Sequence, residues 1–543
     1  MTTPVHPTTP AADAPPPPET RTGSAWAPLR HPWFRRLWIA QFASSVGGWM
    51  QTVAAQWLML TLTSAALPVA LVQTALSLPV FLVGLPAGAL GDVMDRRRLL
   101  IIAQGFTLVA AAGLAVLTFV GLMTPWLLLL FTFLIGTGGA LMAPAWIAVQ
   151  PELVSREEIP QATAMNAVSI NLSRAVGPAI GGLIVAVLGA AAAFAVNAVS
   201  FLGSLIALKR WPRPRELRPL GAEPIMSAMR TGLAYVRHSP PVRAVLMHAS
   251  IFLLFSSALW ALLPVVAAKH MHLGSAGYGL LLSAVGLGAV IGAALLNWAR
   301  ERLGLEMVVR ACSVLFGLGM VEIALSPHVL AMDLVILVIM GIAFIGGLSS
   351  LSAAAQTALP SWVRARAMAV YLLVFQGTQA VGAAIWGAFA QGYGTDLALA
   401  IAGAGVVIGP LAAHGYHVGL GAHYEREISP LSIEPRVGPR TDHDSNPVLV
   451  IRDYKVDPEH ARDFENAMRL VRGSRRRFGA QRWNLYHDAA DPTRYVETFT
   501  ANNWQEHLRQ HTERMTEADR MMDELAERYA RGEPRTRHLI GTE

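Results

Sequence analysis

The sequence has a single cysteine, Cys312, among 543 residues, which excludes an intrachain disulfide and a thiolate metal cluster. It contains no Gly-x-x-x-x-Gly-Lys-Ser/Thr phosphate loop, so direct drive by nucleotide hydrolysis is not expected. The N-terminal stretch lacks a charged segment followed by an apolar one, so no cleaved signal peptide is expected. Charge is scarce: Asp, Glu, Lys and Arg make up 15% of the chain, where soluble domains carry roughly 25%. Lysine is rarer still, with only Lys209, Lys269 and Lys455. Metal ligands at a supporting spacing are missing too, so neither a metal nor a cofactor is expected.

What is present is apolar. Hydrophobic residues reach 53%, and they gather in twelve stretches near 35–61, 67–91, 98–122, 125–149, 159–187, 190–209, 243–268, 275–299, 306–326, 330–358, 364–391 and 394–420. Each is near or above the ~20 residues that cross a bilayer as a helix. Backbone groups in hydrocarbon find no water, so each must satisfy its hydrogen bonds internally. A net charge of +7 could suggest nucleic acid. The arginines instead sit in alternate connections, where they can face anionic lipid headgroups: Arg30, Arg35 and Arg36 before helix 1, Arg96 to Arg98 between helices 2 and 3, eight basic residues between 6 and 7, Arg300 and Arg302, and Arg364 with Arg366. Basic connections stay in the cytoplasm. The expectation is an all-α polytopic protein of the inner membrane with both termini cytoplasmic.

The domains then read as a disordered tail (1–24), a six-helix bundle (25–210), a cytoplasmic inter-bundle loop (211–242), a second six-helix bundle (243–422), a linker (423–445) and a charged C-terminal domain (446–543). The halves carry a faint repeat. Gly177-Pro178-Ala179-Ile180-Gly181-Gly182 in helix 5 matches Gly382-Ala383-Ala384-Ile385-Trp386-Gly387 in helix 11 at the outer glycines. Paired halves around a midplane site are common among secondary transporters.

Several residues in these spans can carry chemistry. Arg174 lies about 20 Å from either end of helix 5 at ~1.5 Å per residue, and Asn171 and Pro178 share its face. An intramembrane arginine is expensive and faces a bundle interior or a wet cavity. It either binds an anionic or hydrogen-bonding solute or a coupling carboxylate, or it forms a structural ion pair. Asn166, Gln51, Gln376 and Gln379 are further polar candidates for the pathway. Gly177, Pro178, Gly181 and Gly182 bring neighbouring helices close and bend helix 5, sealing one side or simply packing tightly. Helix 1 holds Gln41, Gln51 and Gln56 but no acid. Glu322, near the outer end of helix 9 and expected to reach water, and His248 in helix 7 are the candidates for proton coupling; Asp333 sits nearer a helix end.

The run Gly88-Ala89-Leu90-Gly91-Asp92-Val93-Met94-Asp95-Arg96-Arg97-Arg98 resembles the 2–3 loop signature of the major facilitator superfamily, with Val93 and Asp95 departing from its commonest form. That resemblance implies a gating role for Gly88, Asp92, Asp95, Arg96 and Arg97, with Asp92 meeting the start of helix 11 when the cytoplasmic side is closed. A helix N-terminus offers partial positive charge and free N–H donors for such a contact. The Gly-Pro-x-x-Gly-Gly run of helix 5 resembles that of exporters in the superfamily.

In the last hundred residues, Val448–Ile451, Arg482–Tyr486, Tyr495–Phe499 and Arg537–Ile540 read as strands, with helices opening at Asp457 and spanning Trp504 to Arg531. The β-α-β-β-α-β order is ferredoxin-like and is similar to antibiotic-biosynthesis-monooxygenase domains. His507 and His511 share a helix face beside Trp504; a third ligand is not visible, and a solvated face is the preferred reading. With Phe34-Arg35-Arg36-Leu37-Trp38, Gly47 to Gln51, Trp57, Arg174 to Pro178 and Trp483, the chain resembles the transmembrane secretion effector branch of the superfamily, which includes enterobactin-exporter-like proteins. The resemblance implies a non-enzymatic carrier that exports a siderophore-like or toxic small molecule by alternating access and proton antiport. Its partners would be the solute, protons and membrane lipid, with no nucleic acid. A homodimer through the C-terminal domain is one role for the appendage; an importer, or a carrier fused to a sensor or enzyme, is the alternative.

Overall fold

The computed structural model describes residues 24, 26–212, 225–325, 329–412 and 446–541, and for a few helical residues among them, Asp92 included, the backbone alone. The expected tail and linker lie outside these residues. Apolar runs become helices: α1 (Pro32–Leu62), α2 (Ala66–Val93), α3 (Arg96–Phe119), α4 (Pro125–Val149), α5 (Ile159–Leu188) and α6 (Ala190–Arg210) form one bundle. After α7 (Ile225–His238), a second bundle holds α8 (Pro240–Lys269), α9 (Ser275–Leu303), α10 (Leu305–Leu325), α11 (Leu330–Thr357), α12 (Ser361–Tyr393) and α13 (Thr395–Ala412). Among the described residues, ten helices are long and apolar enough to cross a membrane by length and composition. The other two bundle helices have separate reasons for missing that mark. In α1 a polar row that includes Gln41, Ser44, Gln51 and Gln56 dilutes the apolar run, and α13 is described only to Ala412.

The two bundles are related as the repeat suggests. In the first, α1 packs on α5 and α6, α3 on α4 and α6, and α2 on α4; in the second, α8 packs on α12 and α13, α9 on α11, and α10 on α11 and α13. Two long seams join them, α5 along α9 and α2 along α12. Counted within each bundle, these pair a fifth helix with a second helix in both cases. Small residues set the closeness. A Cβ on Gly286 would meet the Arg174 carbonyl oxygen at 2.5 Å and the Ala175 Cα at 2.6 Å. Backbone contact of this kind supplies the packing that lipid cannot drive hydrophobically.

The C-terminal domain has strands β1 (Val448–Lys455), β2 (Gln481–His487), β3 (Arg494–Ala501) and β4 (Arg535–Ile540), in sheet order β2-β3-β1-β4 and antiparallel throughout. Helix α14 (Ala461–Arg477) follows β1, as the ferredoxin-like order requires. Strand β1 alternates, burying Val448, Val450 and Tyr454 toward the helices, where Tyr454 and Tyr495 each meet Phe464. Full burial of side chains this size is worth about 1.5–3 kcal/mol each.

Two expectations are corrected. The inter-bundle connection is not loop throughout, because it carries α7. The single helix expected over Trp504–Arg531 is broken into α15 (Trp504–Arg509), a wide turn (Gln510–Arg514) and α16 (Glu517–Arg528). The break has a local cause: Thr516 caps α16 by accepting from the Asp519 N–H at 3.3 Å, and Asp519 returns the bond. Arg514 then turns inward, 2% exposed, and donates to both oxygens of Glu506 at 2.6 and 3.1 Å.

The C-terminal domain rests on one end of the membrane part, the proximal end. Trp362, at the start of α12, lies between Tyr235 of α7 (ring centroids 5.7 Å apart) and Phe478 (6.3 Å), with the Arg514 guanidinium 5.1 Å from its ring centre.

Candidate functional site

At the distal end, opposite the C-terminal domain, the polar row of α1 meets the second bundle. Gln56 is 1% exposed. Its Nε2 donates to the Trp260 carbonyl of α8 at 3.0 Å, and its Oε1 accepts from the Tyr278 hydroxyl of α9. Trp57 stacks on Tyr278 with centroids 6.2 Å apart, and Trp49 packs against Trp260 at 6.5 Å. Lys269 donates to the Ser64 carbonyl at 2.7 Å, and the Leu67 N–H to Gln391 at 3.3 Å. One glutamine thus ties three helices of two bundles, and the bonds around it close the distal end. Gln56 is not among the pathway candidates that the sequence points to; buried polar side chains need partners, and nothing in the sequence tells which glutamine finds one in the other bundle.

Helix α5 lies along both α1 and α9, and its small residues divide between them. A Cβ on Gly177 would meet the Trp49 Cβ at 2.6 Å, and one on Gly181 the Met50 Cα at 2.6 Å, both inside the first bundle. Gly182 instead faces α9, as does the Pro178 carbonyl, which a Cβ on Gly279 would meet at 2.3 Å. Arg174 sits between these sets. Its guanidinium lies over the Trp49 ring, 5.6 Å from the centre, a favourable cation–π placement. Its Nε and Nη1 are buried with no hydrogen-bond partner among the described residues. Asn171, one turn earlier, is half-buried and donates back to the Ala167 carbonyl at 2.9 Å. Asn166 is half-buried on the same helix, and Gln376 and Gln379 are half-buried on α12.

Gln51 is placed elsewhere: 3% exposed, it accepts from Asn197 of α6 within the first bundle. At the proximal end, Gly88 has open space around it and the Asp92 side chain lies outside the described residues. Asp95 caps α3 by accepting from the Arg98 N–H at 2.8 Å. Arg96 reaches Glu152 at 2.8 Å and the Ala148 carbonyl at 3.3 Å, and Arg97 donates to the Leu208 and Lys209 carbonyls of α6. These arginines clamp the proximal end of the first bundle.

Of the acid candidates, Glu322 does not reach water as expected. Both its carboxylate oxygens are buried near the end of α10 without a partner among the described residues, because α11 and α13 flank that helix. Asp333 is fully buried, and His248 is half-buried on α8.

Over residues 23–543 the sequence matches the family described as transmembrane secretion effector. The chain belongs to that family. Among curated relatives of this secretion effector, the enterobactin exporter EntS of Citrobacter koseri is 27% identical over 395 residues, covering 70% of this chain and 90% of the relative. The staphyloferrin A transporter of Staphylococcus aureus is 25% identical over 286 residues, 52% and 72% of the two chains. Solved structures agree on the fold. A POT family transporter in complex with 5-aminolevulinic acid superposes with a TM-score of 0.60 at 13% identity, covering 70% of this chain and 95% of that one. A bacterial homologue of the lysosomal transporter Spinster, inward-facing and unoccupied, gives 0.56 at 14%, covering 72% and 98%. The secretion effector is a multi-pass membrane protein of the major facilitator fold and a small-molecule transporter.

In the C-terminal domain the sequence saw two histidines and the fold supplies a third. His507 is fully buried, 4.9 Å between ring centres from His511 and 4.9 Å from His538 of β4. Burial, then the neighbouring His538, pushes the His507 imidazole down to about 4. Burial and His507 push His511 to about 3. Among the described residues, no group of three or more His, Cys, Asp or Glu is arranged to hold a metal ion.

Proposed function

We propose that this secretion effector exports an organic small molecule, siderophore-like or toxic, from the cytoplasm by alternating access coupled to proton antiport. The distal closure around Gln56 carries the reading. It is a compact set of bonds at one end of two bundles that also meet along two seams closely packed at glycines, the second of them carrying a bond from the Thr74 hydroxyl to the Ala380 carbonyl at 2.8 Å. Such an arrangement suits two bundles that rock about the seams while the distal bonds break and form. Curated relatives named as an enterobactin exporter and a staphyloferrin A transporter support the solute class.

In this reading the proximal end and both termini are cytoplasmic. Arg174 and Asn171 face the solute, and the unpartnered guanidinium nitrogens favour an anionic or hydrogen-bonding cargo. Glu322 or His248 carries the proton, and Asp92 latches the proximal gate against the start of α12. The α+β domain pairs with a second copy through its open sheet face, where Tyr486 is 55% and Leu539 51% exposed.

The deciding experiment is transport of a radiolabelled iron-free siderophore into vesicles of both orientations under an imposed pH gradient. Uptake into inverted vesicles, driven by an acidic interior, is the expected result. Uptake only into right-side-out vesicles identifies an importer instead.

A further inference from the structure

The α+β domain holds a cleft of about 410 Å³ between α14 and β2, a volume that suits a small organic molecule. Its lining has an unusual balance of charge. Arg469, Arg472 and Arg476 project from one face of α14 at the i, i+3, i+7 spacing of a helical stripe. Two other arginines of the same helix are neutralised: Arg475 by Glu497 and Asp523, Arg477 by Asp519. The three in the cleft have no carboxylate partner among the described residues. The one acid in the lining, Glu465, accepts from the Tyr495 hydroxyl at 3.2 Å. Arg476 is held below its ordinary value by burial first, then by the like charges of Arg472 and of Arg237 on α7.

The opposite wall is aromatic and fixed. Trp483 donates through its indole N–H to the buried Glu497 at 2.9 Å, which locks the ring plane. Arg472 lies over that ring, 5.8 Å from its centre. His487 packs on Tyr495 with ring centres 4.6 Å apart, and its Nε2 lies 3.0 Å from the Pro492 carbonyl.

Unneutralised guanidinium groups on one wall and rigid rings on the other recognise a planar ring bearing an acid group. Guanidinium bonds a carboxylate bidentately, and aromatic faces stack on a ring. We propose that this cleft is a binding site for a small aromatic anion, separate from the transport path. Simple anions satisfy only half of it, and neutral aromatics only the other half. The inference is independent of the solute and direction proposed above.

The test uses the full chain in nanodiscs of zwitterionic phosphatidylcholine, with radiolabelled 2-naphthoate as the probe in equilibrium dialysis. The measurement is repeated in an Arg174→Ala chain, so that probe held in the membrane path does not enter the comparison. Saturable binding of one probe per chain is expected. Arg472→Gln with Arg476→Gln should weaken it at least tenfold, while Arg535→Gln on the exposed end of β4 leaves it unchanged. Trp483→Leu should erase the preference for 2-naphthoate over cyclohexanecarboxylate. Thermal unfolding of each variant confirms that the domain stays folded. Absence of saturable binding, equal binding by the double arginine variant, or an unaltered preference in Trp483→Leu would each overturn the proposal. So would competitive displacement of the probe by phosphatidylglycerol in the disc, which would make the arginines a lipid headgroup site.

Discussion

Replacing Gly182 with alanine tests the rocking motion with a single added carbon. The new Cβ would stand 2.4 Å from the Ser275 carbonyl oxygen, 3.0 Å from the Gly279 Cα and 3.2 Å from the Ala276 Cα. All three are backbone atoms of α9, so no side chain can swing aside. An ordinary contact requires α5 and α9 to part by about 1 Å at this level, which forfeits part of the dispersion well along the seam. Overpacking of this kind costs about 1–3 kcal/mol. Gly182 faces the other bundle, so the cost falls on the distal-closed state and is released when the bundles part. At about 1.4 kcal/mol per tenfold, the distal end should be open roughly 5- to 100-fold more often. Gly177→Ala is the contrast: its Cβ would strike Trp49 and Val46 inside the first bundle, so it should lower the yield of folded protein instead. The assay places a single reporter, Val53→Cys, in a Cys312→Ser background. Val53 is fully buried and belongs to the apolar cluster shared with α8. Labelling by a membrane-impermeant maleimide from the distal face reads opening directly. If Gly182→Ala labels no faster than its parent and transports normally, the α5–α9 seam is not a moving part.

Arg174→Ala should abolish transport while the chain still inserts. Loss of one charge-assisted bond at ~1.5–3 kcal/mol predicts about 10- to 100-fold weaker solute binding, and normal transport rejects the role. Glu322→Gln should leave solute exchange across the membrane intact but stop accumulation driven by a pH gradient; retained accumulation moves the coupling to His248 or elsewhere. Trp362→Ala removes the ring gripped by Phe478 and Arg514, and hydrogen exchange in α7 and α14 should quicken about tenfold; unchanged protection means the dock does not rest on Trp362. Acid should loosen the β4 side of the domain. The His507 value falls from 6.5 to about 4 on folding, so between those pH values the unfolded chain binds more protons and stability drops as pH drops. At about 1.4 kcal/mol per unit, His507 alone withdraws roughly 3 kcal/mol by pH 4. A His507→Gln chain that melts with the same pH dependence as its parent removes this explanation.

The membrane fold was legible because lipid enforces it residue by residue. An apolar run of sufficient length has few choices, and arginine-bearing connections mark its ends. What escaped reading was tertiary. Gln51 and Gln56 lie on the same helix in similar surroundings, yet one bonds Asn197 in its own bundle and the other bonds α8 and α9 in the second. Only the three-dimensional contact separates them. Glu322 looked near enough to a helix end to reach water, but flanking helices cover it. The third histidine, His538, lies far along the chain from His507, and antiparallel pairing of β4 with β1 is what brings it near. Two misses did carry a signal. The apolar spacing Ile225, Met229, Leu233, Val236 marks α7 inside the inter-bundle connection. Thr516-x-x-Asp519 marks the start of α16 and so the break in the last helix.

In the proposed rocking cycle, the position of the α+β domain would make it part of the moving machine. Its contacts with the membrane part run from α7, the start of α8 and the start of α12. Helix α12 is also one side of the α2 seam, so the helix that Trp362 begins is one that the proposed rocking would tilt. Arg514 is held on both sides at once, by Glu506 and the Phe478 carbonyl within the domain and by the Trp362 ring outside it. A tilt of α12 therefore strains a buried ion pair unless the domain follows. Helix α14 packs against α7 on one side and walls the arginine cleft on the other. If binding in that cleft drew the α14 stripe toward β2, the same helix would carry the displacement to the dock. Coupling between two sites is reciprocal. A solute that shifts the bundles toward one conformation must change the affinity of the cleft for its aromatic anion by the same factor that the anion changes the affinity for the solute. Measuring either shift fixes the other, and a factor of one in both directions would show that the cleft and the transport path do not share a conformational equilibrium.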